Sequence, residues 1–232
     1  MTRIVATVAV ALALGPHNAA AQAPDGPACR NIPTSLTYVT MAQGFSTTLN
    51  QTCSFDREAF RGTCSNRYSD SRGTSNLPTT SVVATYASVG AFIDEVRVVP
   101  PLFKALKAAA TGTGPGVRNS ETTFTYDSQG RLLKEATTGS TATTTYTEWD
   151  AAGRPTKVQD AGPGFNNTRV VSYDDGQRTR TTRVIPAGQS QAVITTVETF
   201  NADGNPVRQV ASGGPSASTT TITINNTERV CR

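Results

Sequence analysis

The sequence predicts an all-β protein: an antiparallel meander of hairpins forming a curved sheet, led by a strand-rich segment with one short helix. Three observations predict it. Threonine makes up 38 of the 232 residues, and a branched Cβ suits a pleated strand better than a helix, where it restricts χ1. The stretches between Gly or Pro marks are strand-length, as in "TATTTYTEW" (141–149). Finally, "FTYDSQGRLLKEATTG" (124–139) returns in altered form as "YTEWDAAGRPTKVQDAG" (146–162), "VSYDDGQRTRTTRVIPAG" (171–188) and "ETFNADGNPVRQVASG" (198–213). The leading aromatics Tyr126, Trp149, Tyr173 and Phe200 are 23, 24 and 27 residues apart. Repetition at a fixed period is the mark of one supersecondary unit used again.

Taken in chain order, the first element is a leader. A basic start at Arg3 is followed by the apolar run Ile4–Leu14, a Gly15-Pro16 break and the small residues Ala19-Ala20-Ala21. That is the pattern of a secretory signal peptide, 1–21, with the mature chain beginning at Gln22. Cleavage after Ala23 would put Pro24 beside the cut. The apolar run is shorter than the roughly 20 residues a spanning helix needs, so no membrane insertion is expected, and the expected location is secreted or periplasmic. Removing the leader removes Arg3 and the single histidine, His17, leaving 20 basic and 17 acidic side chains, a net charge of +3. A weak positive balance spread along the chain does not describe a nucleic-acid-binding face.

Residues 22–116 form the expected strand-rich N-terminal segment. "LTYVTMAQGFSTTLNQTCSF" and "TTSVVATYASV" read as strands, and "SNRYSDSRGTSNLP" (65–78) as a long polar turn holding a decayed Tyr-x-Asp-x-x-Gly. "PLFKALKAAA" has helical spacing with Pro at its start, which predicts a short helix over 102–110. Thr111 to Gly116 reads as a flexible joint before the repeat region, 117–232. Four cysteines in an exported chain predict two disulfides. Cys53 and Cys64 are local, whereas Cys29 and Cys231 lie near opposite ends of the mature chain; of the three pairings, 53 with 64 and 29 with 231 is preferred.

Each repeat reads as a hairpin with a defined tip. Asp127, Asp150 and Asn201 can accept a hydrogen bond from the backbone two residues on, and Gly130, Gly153 and Gly204 can take the left-handed conformation that closes the turn. The third copy, with Asp174 and Gly176, has one residue fewer and a tighter or shifted turn. Gly139, Gly162-Pro163-Gly164, Pro186-Ala187-Gly188 and Gly213-Gly214-Pro215 mark the alternate turns, giving about eight strands.

"YDSQGRL" (126–132) and "WDAAGRP" (149–155) resemble the YD repeat of the RHS family; Gly176 and Gly204 are followed by Gln177 and Asn205 where the pattern has Arg. The resemblance covers about residues 121–215. It implies a β-architecture, since in large RHS proteins and teneurins many such repeats build a spiralling shell that encloses a toxin or mediates adhesion. Four copies are expected to be too few to close a shell, and the chain's length disfavours a toxin of its own.

The residues offer little catalytic chemistry. Without histidine after processing, Ser-His-Asp and Cys-His catalysis are excluded. No G-x-S-x-G, S-x-x-K or P-loop is present, and no cofactor or metal site is expected: each tip supplies one or two carboxylates where calcium takes about six to eight oxygens. Asp94, Glu95, Asp174 and Asp175 are the carboxylates a glycoside hydrolase would use, but sequence neighbours on a strand face opposite ways. In "QRTRTTR", Arg178 and Arg180 are expected on one solvated sheet face and Arg183 on the other. The reading is therefore a non-catalytic surface-binding or structural module with a carbohydrate or cell-surface protein as partner. A component of a toxin or contact system is the alternative, and a glycoside hydrolase the weaker one. Tyr126, Trp149 and Tyr173, one hairpin apart, are the candidate ligand-binding residues, because rings with a polar edge stack on sugars.

Overall fold

A computed structural model describes residues 29–42, 44–73, 78–88, 105–114, 117–201, 205–213 and 217–231, with backbone only at 29 and 30. The expected signal peptide, the processing site at Gln22, Gly204, Asp94 and Glu95 lie outside the described residues. Fourteen strands follow one another: β1 (Cys29–Ala42), β2 (Phe45–Asp56), β3 (Arg61–Asp70), β4 (Thr79–Thr85), β5 (Lys107–Thr113), β6 (Ser120–Tyr126) and β7 (Leu132–Thr137), then β8 (Thr143–Trp149), β9 (Pro155–Gly162), β10 (Phe165–Asp174), β11 (Thr179–Pro186), β12 (Ile194–Phe200), β13 (Pro206–Ser212) and β14 (Ser218–Cys231). Each pairs antiparallel with its sequence neighbours, and β14 returns to β1. The all-β antiparallel meander is thus present.

The sheet is a closed barrel, however, and not an open curved sheet. The expectation that four repeats cannot close counted the repeats alone. The strands of residues 29–113 continue the same meander through the β5–β6 pair, so fourteen strands share the closure. The two longest, β1 and β14, then pair from Cys29↔Cys231 to Ala42↔Ser218, with a bulge near Ser35. Closure leaves neither strand with an unpaired edge, the usual route to edge-to-edge aggregation.

The expected helix over 102–110 is also corrected. Residues 101–104 lie outside the described set, but Lys107–Ala110 belong to β5, bonded to β4 on one side and β6 on the other. Alanine's helix preference amounts to a few tenths of a kcal/mol per residue over ordinary residues, and two flanking ladders override it. Small side chains suit the site: Ala108 and Ala110 pack on the cluster containing Val82 and Ala84, and a Cβ at Gly112 would meet the Thr79 carbonyl oxygen.

All four repeat tips join strands at one end of the barrel, the tip end, where Cys29 and Cys231 also stand. On β1 to β9 and β14 the inner face there is apolar. Ile32, Cys53, Cys64, Val82, Ala84, Tyr86, Ala105 and Val230 form one buried cluster, and Leu132, Tyr146 and Val158 a second, with Phe124 packed against both. Toward the opposite, rear end the inner face turns polar. Tyr38 donates to Gln51, Gln51 to Asn66 and Asn66 to Thr80, a chain of hydrogen bonds across β1 to β4. Thr40 and Thr220 continue it across the β1–β14 seam at 2.8 Å. The buried Gln51 and Asn66 side chains are tolerated because both find partners in this chain.

Candidate functional site

The two best-formed tips share one geometry. Asp127 Oδ1 accepts the N–H groups of Gln129 and Arg131, each at 2.8 Å, while Oδ2 takes the Arg131 Nε at 2.7 Å. Asp150 repeats this with Ala152 (3.0 Å), Arg154 N–H (2.9 Å) and Arg154 Nε (2.6 Å). The Gly130 and Gly153 N–H groups close the turns onto the Asp127 and Asp150 carbonyls, with φ of 73° and 77°. The Arg131 N–H, above all, holds the Asp127 carboxyl below the usual carboxylate range. Its stabilising contribution is present above that range and is lost as pH falls through the lowered value.

Gly153→Val is expected to lower stability by roughly 1 to 2 kcal/mol or more, since a branched side chain is strained at that φ. Ala152→Val, one residue earlier and exposed, is expected to change it by less than about 0.5 kcal/mol. Urea unfolding of the two variants compares them.

The arginine that follows each glycine links one repeat to the next. The Arg131 guanidinium lies 4.6 Å from the Trp149 ring centroid, and that of Arg154 lies 4.3 Å from the Tyr173 ring. Arg154 also reaches Asp175 at 2.6 Å. The candidate ligand-binding aromatics are thus engaged within the protein. Tyr126 donates its hydroxyl to the Ala105 carbonyl (2.5 Å) and Tyr173 to that of Pro155 (2.7 Å), and Trp149 packs on the Leu132–Tyr146–Val158 cluster. Burial pushes the Tyr173 phenol up to about 12.

The later copies depart where their sequences do. In the third, Asp174 accepts the Gln177 N–H at 2.8 Å, and Arg178, not Gly176, takes the left-handed conformation (φ 52°). In the fourth, Asn201 Oδ1 accepts the Asn205 N–H at 2.8 Å, as Asp127 does from Arg131. Asn205 is buried, and neither it nor Asn201 brings a charge into that site. Sequence reasoning found the Asp–Gly turn but missed the stacking arginines. Their signal was the Gly-Arg pair at 130–131 and 153–154.

A second group of polar side chains gathers on the inner face of β7 to β12. Tyr146 donates to Glu135, Thr144 to Asp160 at 2.8 Å, and Arg169 holds Asp160 through Nε (2.5 Å) and Nη2 (2.8 Å). Arg180 pairs with Glu198 directly across β11 and β12, with Tyr173 opposite on β10. The expected sharing of a solvated face by Arg178 and Arg180 is therefore corrected: Arg178 sits in the turn, Arg180 points inward, and Arg183 is exposed. A partner 18 residues away across a strand pair overrides the solvation preference of a charged strand.

Burial raises the Glu135 carboxyl above its ordinary 4.5, against the smaller lowering effects of the Tyr146 hydrogen bond and the nearby Arg169. Ionised Glu135 is thus disfavoured by the fold at neutral pH, and the penalty vanishes as pH falls through the raised value. Glu135→Gln, which keeps an acceptor for Tyr146, is expected to raise stability at pH 7 and to match wild type at pH 4. Urea midpoints at the two pH values check this.

Cys53 and Cys64 form a disulfide across β2 and β3, with Cα atoms 4.1 Å apart. Cys231 is disulfide-bonded, and the strand register sets its backbone opposite Cys29. Asp174 caps a turn and Asp175 binds Arg154. Among the described residues no group of three or more His, Cys, Asp or Glu side chains stands together to hold a metal.

Residues 126–163, from the first ring through the second repeat, match the model of the family described as RHS Repeat. No curated protein matches the chain. In the matched stretch the Asp-bound tip and the arginine on the next ring are both formed, and over these residues the chain is similar to the RHS/YD-repeat proteins.

Proposed function

We propose that the protein is an exported, non-catalytic barrel module that binds carbohydrate. The observation that carries this reading is the commitment of the repeat carboxylates to structure. Asp127 and Asp150 organise tips, Asp160 and Glu198 hold inward arginines, and Asp175 holds Arg154. A glycoside hydrolase needs two carboxyl groups facing one bond, about 5 to 9.5 Å apart with one free to exchange a proton. RHS repeats are generally non-catalytic, which supports the same conclusion. Carbohydrate is favoured as the partner by the abundance of neutral hydroxyl and amide groups on both barrel faces, chemistry that exchanges hydrogen bonds with sugar hydroxyls without demanding charge.

Mature protein assayed on ester, peptide, glycoside and phosphate substrates is expected to give no turnover, and on a glycan array to give saturable binding. Hydrolysis abolished by Asp174→Asn or Glu95→Gln would overturn the non-catalytic reading. An array with no bound glycan, alongside capture of a separately encoded toxin chain, would replace it with a role in a contact system.

A further inference from the structure

Arg169 and Arg180 stand on the inner side of a closed barrel, yet 33% and 29% of their side-chain surfaces remain accessible. On the outer face such values would be ordinary. Inside, they require open space between the strands. Arg169 commits Nε and Nη2 to Asp160, and Arg180 commits Nε to Glu198. Their remaining N–H groups have no acceptor among the described residues, and none of them is sealed from solvent. One oxygen of Glu198 and one of Glu135 are likewise without a protein donor there.

The groups converge. Tyr146 lies within electrostatic reach of both Arg169 and Arg180, although they stand on different strands. The two arginines are balanced by Asp160 and Glu198, and Glu135 is biased toward its neutral form. A nearly neutral wall with donors and acceptors side by side, each orientation fixed by an ion pair, does not call for an ionic ligand. It matches adjacent hydroxyl groups, which donate and accept at once. Thr182 and Thr196 face each other in the next inward row, on the rear side of the Arg180–Glu198 pair.

We propose that the inner face of β8 to β12 is a binding site for a neutral saccharide, held by the Arg169–Asp160 and Arg180–Glu198 pairs. This rests on the carbohydrate-binding reading above and places that binding inside the barrel. Calorimetry with neutral glucose, galactose and mannose trisaccharides and with the corresponding uronic acids tests it, using three variants. The double variant Arg180→Gln with Glu198→Gln removes both charges together. Thr182→Trp fills the space and leaves every charged pair in place, so it decides the matter if the double variant does not fold. Arg183→Gln, on the exposed outer face, is the control.

The expected result is binding of a neutral trisaccharide that falls at least tenfold in the double variant and in Thr182→Trp and is unchanged in Arg183→Gln. Undiminished binding in folded Thr182→Trp, or a loss confined to Arg183→Gln, overturns the interior site while the carbohydrate reading stands. Preference for the uronic acids overturns the neutral-ligand assignment. Absence of any glycan binding by wild type, on the array and here, sinks both.

Discussion

Trp149→Ala is expected to lower stability by about 3 to 5 kcal/mol, the usual cost of emptying a large aromatic site in a packed region. The indole sits under the Arg131 guanidinium and on the Leu132–Tyr146–Val158 cluster. Truncation therefore removes a packed ring and the surface on which the preceding tip rests. Its Nε1 is buried with no acceptor among the described residues, so Trp149→Phe, which keeps a ring and deletes that N–H, should cost much less. Urea midpoints of the two variants, at unchanged m, give the comparison. A Trp149→Ala protein as stable as wild type would mean that the ring is a surface feature, available for stacking on a ligand.

Replacing Cys53 and Cys64 together with alanine is expected to cost about 3 kcal/mol. The bridge closes a loop with a sequence separation of 11, for which the chain-entropy estimate is close to that value. Both sulfurs also belong to the buried cluster with Ile32, Val82 and Val230, so alanine leaves unfilled volume between strands. Equilibrium unfolding of the double variant against the oxidised wild type measures the loss. Equal stability would mean that the β2–β3 hairpin and its core contacts are already as ordered in the unfolded chain as the bridge makes them.

The features legible in the sequence were those with local causes. Threonine content and regular turn marks give strands because branched side chains and left-handed glycines act within a few residues. Asp127 and Asp150 announce their tips because the N–H groups that donate to them lie two and four residues on. What was not legible depends on distant partners. Barrel closure follows from the twist of fourteen strands summed around the ring and from the β1–β14 match, 29 with 231. The strand at Lys107–Thr113 carries an alanine-rich pattern that resembles a helix until β4 and β6 are known to flank it. The Arg180–Glu198 pair spans two strands and a turn, and nothing within "QRTRTTR" says which arginine faces inward.

The central claim is that the repeat encodes a staple: an Asp that fixes the tip presents the following arginine to the next repeat's aromatic ring. A double-mutant cycle between Arg131 and Trp149 measures it most directly, with Arg131→Ala, Trp149→Leu and the double variant unfolded in urea under identical conditions. A guanidinium over a partly buried indole is worth about 1 kcal/mol, so a coupling of that size, favouring the native pair, is the predicted result. Additivity of the two substitutions within about 0.3 kcal/mol would contradict it and reduce the repeat to a series of independent hairpin turns.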